Sequence, residues 1–178
     1  PGCTIEVRGI GDKSPVAPFT RGDLEARGFS GFVPFLALQP SQVPKDAGVY
    51  VILREVDEPP GFLDRSSGGH FKGKDPTVSI DELQGLWTEG AHCVYIGKAS
   101  KTASTDLRRR LVAFRDYGLG RPVGHQGGRY LWQLDRPDQY VACWKTLESS
   151  EDPGEVESGM IAEFRGHYGR RPFGNLKD

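Results

Sequence analysis

The chain has 178 residues, with 23 Lys and Arg against 24 Asp and Glu, and 37% of its residues are hydrophobic. That length suits one domain with a sizeable core, and that composition excludes a chain that is disordered throughout. No apolar run reaches the roughly 18 residues of a membrane helix, and the N-terminal residues lack the layout of a secretion signal. Cys3, Cys93 and Cys143 lie far apart and form neither a disulfide framework nor a zinc pattern, so we expect a reducing, cytoplasmic compartment.

The first predicted elements are an arm, two strands and a long connection. Residues 1–47 are rich in Gly and Pro, and we expect an arm packed on the core. Aromatic and β-branched residues predict strands at Gly48–Leu53 and Cys93–Ile96. Between them, residues 57–90 carry turn signals and one short predicted helix, Ile80–Thr88. A connection of this length is either functional or an insertion.

The second half of the chain predicts two helices and two more strands. Asp106–Asp116 predicts an amphipathic helix, because its apolar residues share one face at 100° per residue. Arg129–Leu134 and Tyr140–Leu147 resemble strands. The last predicted helix covers Pro153–Tyr168, with Asp152 as its N-terminal cap. No repeat or linker divides the chain, so we expect residues 48–178 to form one domain, with the element order strand, long loop, strand, helix, strand, strand, helix.

Charge is distributed unevenly along the sequence. Residues 51–93 carry eight acidic side chains against four basic ones, whereas residues 94–130 carry eight basic side chains against two acidic ones. A local basic stripe can bind a polyanion even when the total charge is balanced. The alternative is a solvated charged surface, which has the same composition.

Glu157 occupies an unusual position in the last predicted helix. On a helical wheel it falls inside the apolar face that contains Met160, Ile161 and Phe164. A carboxylate there is costly unless it is paired, hydrogen-bonded or bound to a metal ion. The alternative is that the helix dipole and the free N–H groups of the first turn stabilise the anion.

Two tyrosines lie in the first two predicted strands. A strand tyrosine usually packs in the core with its hydroxyl at the edge, and Tyr50 and Tyr95 are both open to that interpretation. Gly97 ends the second strand, and Lys98 follows Tyr95 by three positions. A nearby ammonium lowers the pKa of a phenol, which is about 10 when unperturbed. We therefore expect Lys98 either to lower the pKa of one of these tyrosines or to contact a phosphate.

These residues together resemble a known family. Residues 48–50 (GVY) and 95–97 (YIG) are similar to the two halves of the signature of the GIY-YIG nuclease superfamily. Residues 95–111, which contain YIGKA and then LRRRL, resemble the nuclease domain of bacterial excision-repair endonucleases. Glu157 begins a pattern similar to that of the family's metal-binding glutamate, and Asn175 matches its late asparagine. GIY-YIG restriction endonucleases share the same signature.

The sequence departs from the family pattern in three places. Tyr50 and Tyr95 stand 45 positions apart because of the insertion at residues 57–90, whereas the family usually separates them by about ten. Phe114 occupies the place, one helical turn after the motif arginine, where the family often has Tyr or His. His125 is either a substitute for that residue or a histidine that stabilises a turn. The spacing from Glu157 to the late asparagine is also longer than in the repair enzymes.

The resemblance implies a fold, a reaction and a set of site residues. The fold would be α+β, a small and mostly antiparallel mixed sheet flanked by helices, with a long insertion between the two motif strands. The protein would be a metal-dependent endonuclease that hydrolyses phosphodiester bonds of DNA. Glu157 would hold Mg²⁺ or Mn²⁺, and Arg110 would stabilise the transition state. The implied catalytic residues are Tyr50, Tyr95, Lys98, Arg110, His125, Glu157 and Asn175.

Several assignments stay open at this point. Tyr50 is the preferred base over Tyr95, and Asn175 would orient a ligand or the backbone near the site. The partner is DNA, with RNA possible and no membrane, and the protein is a monomer or a homodimer. A stand-alone or restriction-like defence role is favoured over repair. The alternatives are a non-cleaving nucleic-acid-binding module on the same fold and an RNA-cleaving, toxin-like nuclease.

Nucleic-acid contacts are expected from the basic stripe and from the insertion. The middle of the insertion has glycines, two lysines and one aromatic residue, a composition that suits a loop closing over nucleic acid. A passive surface excursion is the alternative. The candidate contact residues are Lys101, Arg108, Arg109, Arg115, Arg121, Arg129, Lys72 and Lys74.

Overall fold

The computed structural model describes residues 17–125 and 127–176, and its centre is a four-stranded sheet. The strands are β1 (Ser30–Pro34), β2 (Gly48–Arg54), β3 (Cys93–Ala99) and β4 (Tyr140–Thr146). Their order across the sheet is β1-β4-β2-β3, and every pair is antiparallel. The helices are α1 (Arg21–Ala26), α2 (Ile80–Leu86), α3 (Leu107–Gly118) and α4 (Pro153–Tyr168). The predicted α+β class with a small antiparallel sheet is confirmed, but no parallel pair occurs among the described strands.

The sheet separates two apolar clusters. Successive residues of β2 point to opposite faces, so Val49 and Val51 join one cluster and Tyr50 and Ile52 join the other. The first cluster contains the apolar face of α4 together with residues of α1. The second contains the apolar face of α3, which includes Leu107, Leu111 and Phe114. Helices α3 and α4 therefore cover opposite faces, and β3 lies at one edge of the described sheet.

The locally encoded elements match their predictions closely. Helix α4 has the predicted bounds, and the Asp152 carboxylate accepts hydrogen bonds from the backbone N–H groups of Gly154 and Glu155. Helix α3 begins after Asp106, whose side chain accepts from the backbone N–H of Arg109 at 2.8 Å. Such caps satisfy N–H groups that have no partner inside the helix.

The strand predicted at Arg129–Leu134 is wrong. Residues Arg129–Gln133 form a 3-10 helix, and Leu134 makes only an isolated bridge with Phe62. Tyr130, Leu131, Trp132 and Gln133 are all buried, so there is no exposed face to set a period of two. A short run that is buried on every side cannot be assigned to strand or helix from its periodicity.

The N-terminal arm contributes a strand that the sequence did not reveal. Ser30–Pro34 pairs with β4, with an irregular register between Gly31 and Val33. Gly31 has φ +97° and Phe32 has φ +49°, and a Cβ on Gly31 would lie 2.5 Å from the Trp144 ring. A bulge breaks the alternation that marks a strand, which explains why this strand was missed. Residues 1–16 lie outside the described part.

The insertion at residues 57–90 is attached to the rest of the fold at several points. The backbone N–H of Ser67 donates to Trp132 O, and that of Gly69 donates to Tyr117 O, each at 2.8 Å. A Cβ on Gly69 would lie 1.8 Å from the carbonyl oxygen of Arg121. Phe71, Val78 and Trp87 pack against the α3-side cluster. These contacts restrain the insertion, while Lys72 and Lys74 in its middle are exposed, so a contact with nucleic acid stays a prediction.

Length and apolar composition decide whether a helix can cross a bilayer. Within residues 17–125 and 127–176, no helix combines the length and the apolar composition that a membrane crossing requires.

Candidate active site

Two motif residues meet across strands β2 and β3. Tyr50 is directly opposite Gly97, and a Cβ on Gly97 would lie 2.5 Å from Cζ and 2.6 Å from the hydroxyl oxygen of Tyr50. Only glycine leaves room for the ring there. The Tyr95 ring lies beside it, with ring centroids 5.9 Å apart. Gly97 thus determines where the Tyr50 hydroxyl lies.

His125 reaches the same hydroxyl from a distant part of the chain. Its Nε2 atom lies 3.1 Å from the Tyr50 hydroxyl oxygen. Its ring is stacked on Phe114, with centroids 4.0 Å apart and an interplanar angle of 7°. Phe114, the α3 residue at the place where the family often has Tyr or His, therefore supports the ring of His125. Both Tyr50 and His125 are buried, at 0% and 1% exposure.

Close backbone approaches hold the His125 segment in place. A Cβ on Gly127 would lie 2.7 Å from the Tyr95 hydroxyl oxygen, and one on Gly128 would lie 2.2 Å from the Phe114 ring. On the other side, a Cβ on Gly124 would lie 3.1 Å from the ring of Phe71, which belongs to the insertion. The glycines on either side of His125 are the sequence feature that could have indicated this close packing. No sequence feature indicated that Phe71 of the insertion would contact this segment.

The surroundings of Tyr50 and His125 shift the pKa of both groups. Burial raises the pKa of Tyr50, and the charge of Arg110 acts against that effect. In the hydrogen bond between Tyr50 and His125, the tautomer of the imidazole determines which group donates. The other ring nitrogen of His125, Nδ1, is buried and has no hydrogen-bond partner among the described residues. Burial and the charge of Arg110 lower the pKa of His125 to about 3, so the ring is neutral near pH 7.

Lys98 pairs with Glu157 on α4. Lys98 Nζ lies 3.3 Å from Glu157 Oε2, and a Cβ on Gly154 would lie 2.8 Å from the same Nζ. Burial raises the pKa of Tyr50 and of Tyr95, and the cation that acts against this effect is Arg110, whereas Lys98 is directed to Glu157. The reason is geometric: Lys98 and the tyrosines alternate along the strands and face opposite sides of the sheet.

Glu157 is a partly desolvated carboxylate on α4. Its side chain is 16% exposed, whereas that of Lys98 is 46% exposed. Burial raises the pKa of Glu157, and the charges of Lys98 and Arg110 act in the opposite direction. The wheel prediction that this carboxylate lies on the core side of the helix agrees with its burial.

Arg110 acts electrostatically on residues of both faces of the sheet. Its charge acts on Tyr50 and His125 on the α3 side and on Glu157 on the α4 side. Arg110 is half-buried, whereas Arg109 is exposed and donates to Ala103 O at 2.7 Å. The predicted outward direction of Arg109 is confirmed.

Asn175 acts on the backbone of β3. Its Oδ1 accepts from Ile96 N–H at 2.9 Å, and its Nδ2 donates to Ile96 O at 2.8 Å. Gly174 N–H also donates to Val94 O at 2.8 Å. Of the two roles expected for Asn175, the observed contacts match the backbone role. It covers the outer edge of β3 between the two motif residues Tyr95 and Gly97.

Many residues of the predicted nucleic-acid surface are tied to the protein itself. Arg115 is 15% exposed and donates to Leu38 O and Asp116, so it holds the fold together and does not present a free surface. Other pairs join Arg108 to Val43 O, Arg121 to Asp116 and Lys101 to Asp46. Arg129 lies over the Tyr130 ring, while Lys72 and Lys74 are exposed at the tip of the insertion. Only part of the stripe is therefore available to a partner.

The donor set at this site is a single carboxylate. Within the described residues, no three His, Cys, Asp or Glu side chains form a group that could hold a metal ion. Glu157 alone does not suit zinc or calcium, which need several protein ligands. A partly desolvated carboxylate does fit Mg²⁺, which keeps several waters and binds through one or two carboxylates plus phosphate oxygens.

Sequence reasoning missed one cationic group altogether. Arg165, Arg170 and Arg171 line a cavity at the C-terminal end of α4, outside the basic stripe. The three arginines are close together in sequence, at residues 165–171 (RGHYGRR). They lie outside residues 94–130, the range that defined the basic stripe.

Comparison with known proteins assigns no family to the chain. No protein-family model matches it, and neither a curated protein nor a solved structure matches it.

Proposed function

We propose that the protein is a metal-dependent endonuclease that hydrolyses phosphodiester bonds of DNA. The supporting observation is that Tyr50, Tyr95 and His125 pack together, and that the charge of Arg110 acts both on this cluster and on Glu157, the partner of Lys98. These residues come from β2, β3, α3, α4 and a glycine-rich segment. A core with no function would have no need of two cations and a desolvated carboxylate here.

The cations would bind the scissile phosphate. Arg110 is half-buried, so its guanidinium would act in a partly dry environment and donate to the non-bridging oxygens as negative charge builds up. Lys98 is the more exposed partner of Glu157 and would contact an incoming phosphate first. Glu157 would hold Mg²⁺ or Mn²⁺, which would neutralise charge on the phosphate and on the leaving oxygen.

A proton relay through Tyr50 follows from its raised pKa. A phenol whose pKa is raised by burial does not lose its proton to bulk water at neutral pH. Tyr50 would instead take a proton from the attacking water while its own proton moves to Nε2 of His125. The entering phosphate would offset the charge of Arg110, which is one cause of the low pKa of His125.

The burial of Tyr50 implies a motion before reaction. At 0% exposure its hydroxyl meets no bulk water, and the His125 segment lies over it. The part of this segment that carries His125, residues 121–125, would have to shift to admit water and phosphate. Lids of this kind commonly complete a catalytic site when substrate binds.

The same burial favours one alternative, a module that binds nucleic acid without cutting it. In that case Tyr50 and His125 would be a hydrogen-bonded pair in the core, and Lys98 and Arg110 would bind phosphates only. The two functions differ in product formation, and both require binding.

One cleavage experiment tests the proposal. Supercoiled plasmid and structured RNA are each incubated with the protein in Mg²⁺, in Mn²⁺ and in EDTA. We expect nicked or linear DNA with either metal and none in EDTA. Glu157→Gln should abolish cleavage while retaining binding, whereas Glu155→Gln, an exposed carboxylate in the same helix turn, should cut normally. Binding without any cleavage would support the non-cleaving binding module. Cleavage of the RNA but not of the plasmid would show that the substrate is RNA and not DNA.

A further inference from the structure

A cavity of about 260 Å³ lies between the insertion and the C-terminal end of α3. One wall belongs to the insertion, within residues 71–78, and the opposite wall contains Tyr117 and Arg129. Pockets that recognise small organic groups combine apolar surface with a few polar groups that fix the orientation of the ligand. This cavity has an aromatic ring, a carboxylate and two cations, which belong to Phe71, Asp75, Lys74 and Arg129.

Hydrogen bonds at both ends hold this stretch of the insertion in place. Before it, the backbone N–H of Gly69 donates to Tyr117 O at 2.8 Å. After it, the backbone N–H of Val78 donates to Gln133 Oε1 at 3.0 Å, and Gln133 Nε2 donates to Val78 O at 2.8 Å. Gln133 is buried, so its bonds are shielded from water. Because the walls are fixed by the fold, a ligand does not have to order them, which lowers the entropic cost of binding.

The two cations of the cavity are free to bind an anion or a carbonyl oxygen. In the part of the chain that the structure describes, neither Lys74 nor Arg129 forms an ion pair; Arg129 lies over the Tyr130 ring. The other basic residues that were predicted to contact nucleic acid, apart from Lys72 at the same tip, bond to carbonyl or carboxylate oxygens. The cations that remain available therefore gather around this cavity.

A carboxylate lies close to these cations. Burial raises the pKa of Tyr117, the charge of Arg129 lowers it and the charge of Asp75 raises it, so both charged groups lie near the same phenol. Asp75 Oδ1 accepts from Thr77 N–H at 2.9 Å, and the hydrogen bonds from Thr77 lower the pKa of Asp75, which is therefore ionised near neutral pH. A carboxylate repels a phosphate, but it accepts hydrogen bonds from the N–H groups of a nucleobase.

Phe71 connects the cavity to the candidate active site. Its half-buried ring lines the cavity, and the same ring would lie 3.1 Å from a Cβ on Gly124, the residue before His125. Nucleobases stack on aromatic side chains, and every base offers a π-face for this contact. A base in the cavity is therefore separated by one ring from the segment that places His125 against Tyr50.

We propose that this cavity binds an unpaired nucleotide of the nucleic-acid substrate, with its base against Phe71. Asp75 accepts hydrogen bonds from N–H groups of the base edge, while Arg129 and Lys74 bind a carbonyl oxygen of the base and the adjoining phosphate. A base paired inside a duplex cannot present that edge, so the preferred substrate has an unpaired or extruded nucleotide. The choice of nucleic acid as the ligand rests on the proposed function, whereas the cavity and its charges do not.

Fluorescence anisotropy with two 12-base-pair DNA duplexes tests the proposal. One duplex is fully paired, and the other carries one additional unpaired guanine, a base whose edge has both N–H donors and a carbonyl oxygen. All proteins carry Glu157→Gln so that no cleavage interferes. We expect the duplex with the unpaired guanine to bind about tenfold more tightly than the paired duplex. Arg129→Gln should remove most of this preference, whereas Arg136→Gln, which changes an exposed arginine paired with Asp138, should retain it.

Asp75→Asn distinguishes a base site from a site for phosphate alone. Asparagine keeps an oxygen that can accept from Thr77 N–H but removes the negative charge. We expect the preference for the unpaired guanine to fall by roughly fivefold, because a charge-assisted hydrogen bond is lost. A phosphate site would instead bind both duplexes more tightly. Asp64→Asn, which removes an exposed carboxylate of the insertion outside the cavity, should leave the preference unchanged.

The outcomes of these measurements separate this proposal from the proposed function. Melting temperatures verify that each variant is folded. The nucleotide site is refuted if the parent binds both duplexes equally, or if Asp75→Asn strengthens the binding of both by the same factor. If the preference is present and both cavity variants lose it, but no substrate is cut by the protein with Glu157 intact, the nucleotide site is retained and the endonuclease proposal fails.

Discussion

The hydroxyl oxygen of Tyr50 lies 3.1 Å from Nε2 of His125, across 75 positions of sequence. Both side chains are buried away from solvent, and burial together with the charge of Arg110 lowers the pKa of the histidine to about 3. A neutral imidazole is thereby held against a protonated phenol, which is the resting state that the proposed relay needs. Phe114 supports the ring from below and the glycine-rich segment carries it.

Replacing His125 tests the relay. His125→Phe keeps a ring on Phe114 but removes the proton acceptor, so we expect the cleavage rate to fall by roughly 10²- to 10⁴-fold with duplex affinity unchanged. Single-turnover rates at saturating DNA measure this. His70→Gln, which alters an exposed histidine of the insertion, should cut at the normal rate. Normal cleavage by His125→Phe would remove His125 from the mechanism.

The same histidine should make stability depend on pH. Its pKa falls from 6.5 in the unfolded chain to about 3 in the fold, so the unfolded state binds the extra proton. Its contribution is fully present above pH 6.5 and is lost as pH falls toward 3, by about 3 kcal/mol at pH 4. Denaturant unfolding of the parent and of His125→Phe at pH 7 and pH 4 measures the difference. Equal losses in the two proteins would contradict the buried, neutral state.

Gly97→Ala should displace the Tyr50 ring. The new Cβ would meet the ring at 2.5 Å, so we expect a loss of about 1–3 kcal/mol of stability together with a large loss of cleavage. Gly159→Ala is the matched control, because no atom lies within 4 Å of a Cβ there and α4 gains a better helix former. Thermal unfolding should show a lower melting temperature for Gly97→Ala and a higher one for Gly159→Ala. The cleavage rate should fall for Gly97→Ala and stay unchanged for Gly159→Ala.

Phe71→Ala should act through His125. The Phe71 ring packs on Gly124, next to the histidine. We expect a lower rate in the parent background and no further loss in the His125→Phe background. That double-mutant cycle distinguishes positioning from a general loss of fold. Losses that add in full would show that Phe71 acts independently of His125.

Arg109→Ala and Arg110→Ala should separate affinity from rate. Arg110 shifts the pKa of four site residues and is half-buried, so its loss should lower the rate far more than the affinity. Arg109 is exposed and bonded to the Ala103 carbonyl, so its loss should affect affinity only. Rates at saturating DNA and dissociation constants are measured for both variants. Equal effects on rate would refute the distinction.

Local patterns in the sequence predicted helices α2, α3 and α4 and strands β2, β3 and β4, whereas α1 and β1 lie in the arm, where no element was predicted. The bounds of α4 follow from Asp152, Pro153 and an apolar face, all within one stretch of chain. Strands β2 and β4 follow from runs of aromatic and β-branched residues. The core-side position of Glu157 followed from the helical period alone. Each of these features depends on neighbours a few residues away, and those neighbours are visible in the sequence.

Only the tertiary structure decided the partners. The pairing of Lys98 with Glu157, and not with a tyrosine, depends on which face of the sheet each side chain occupies. The strand Ser30–Pro34 exists because β4 offers it an edge, and Gly31 conceals it from pattern reading. The packed insertion and the contact of His125 with Tyr50 join segments far apart in sequence. Such contacts are stabilised by burial against distant segments, and no local period or cap records which segments will meet.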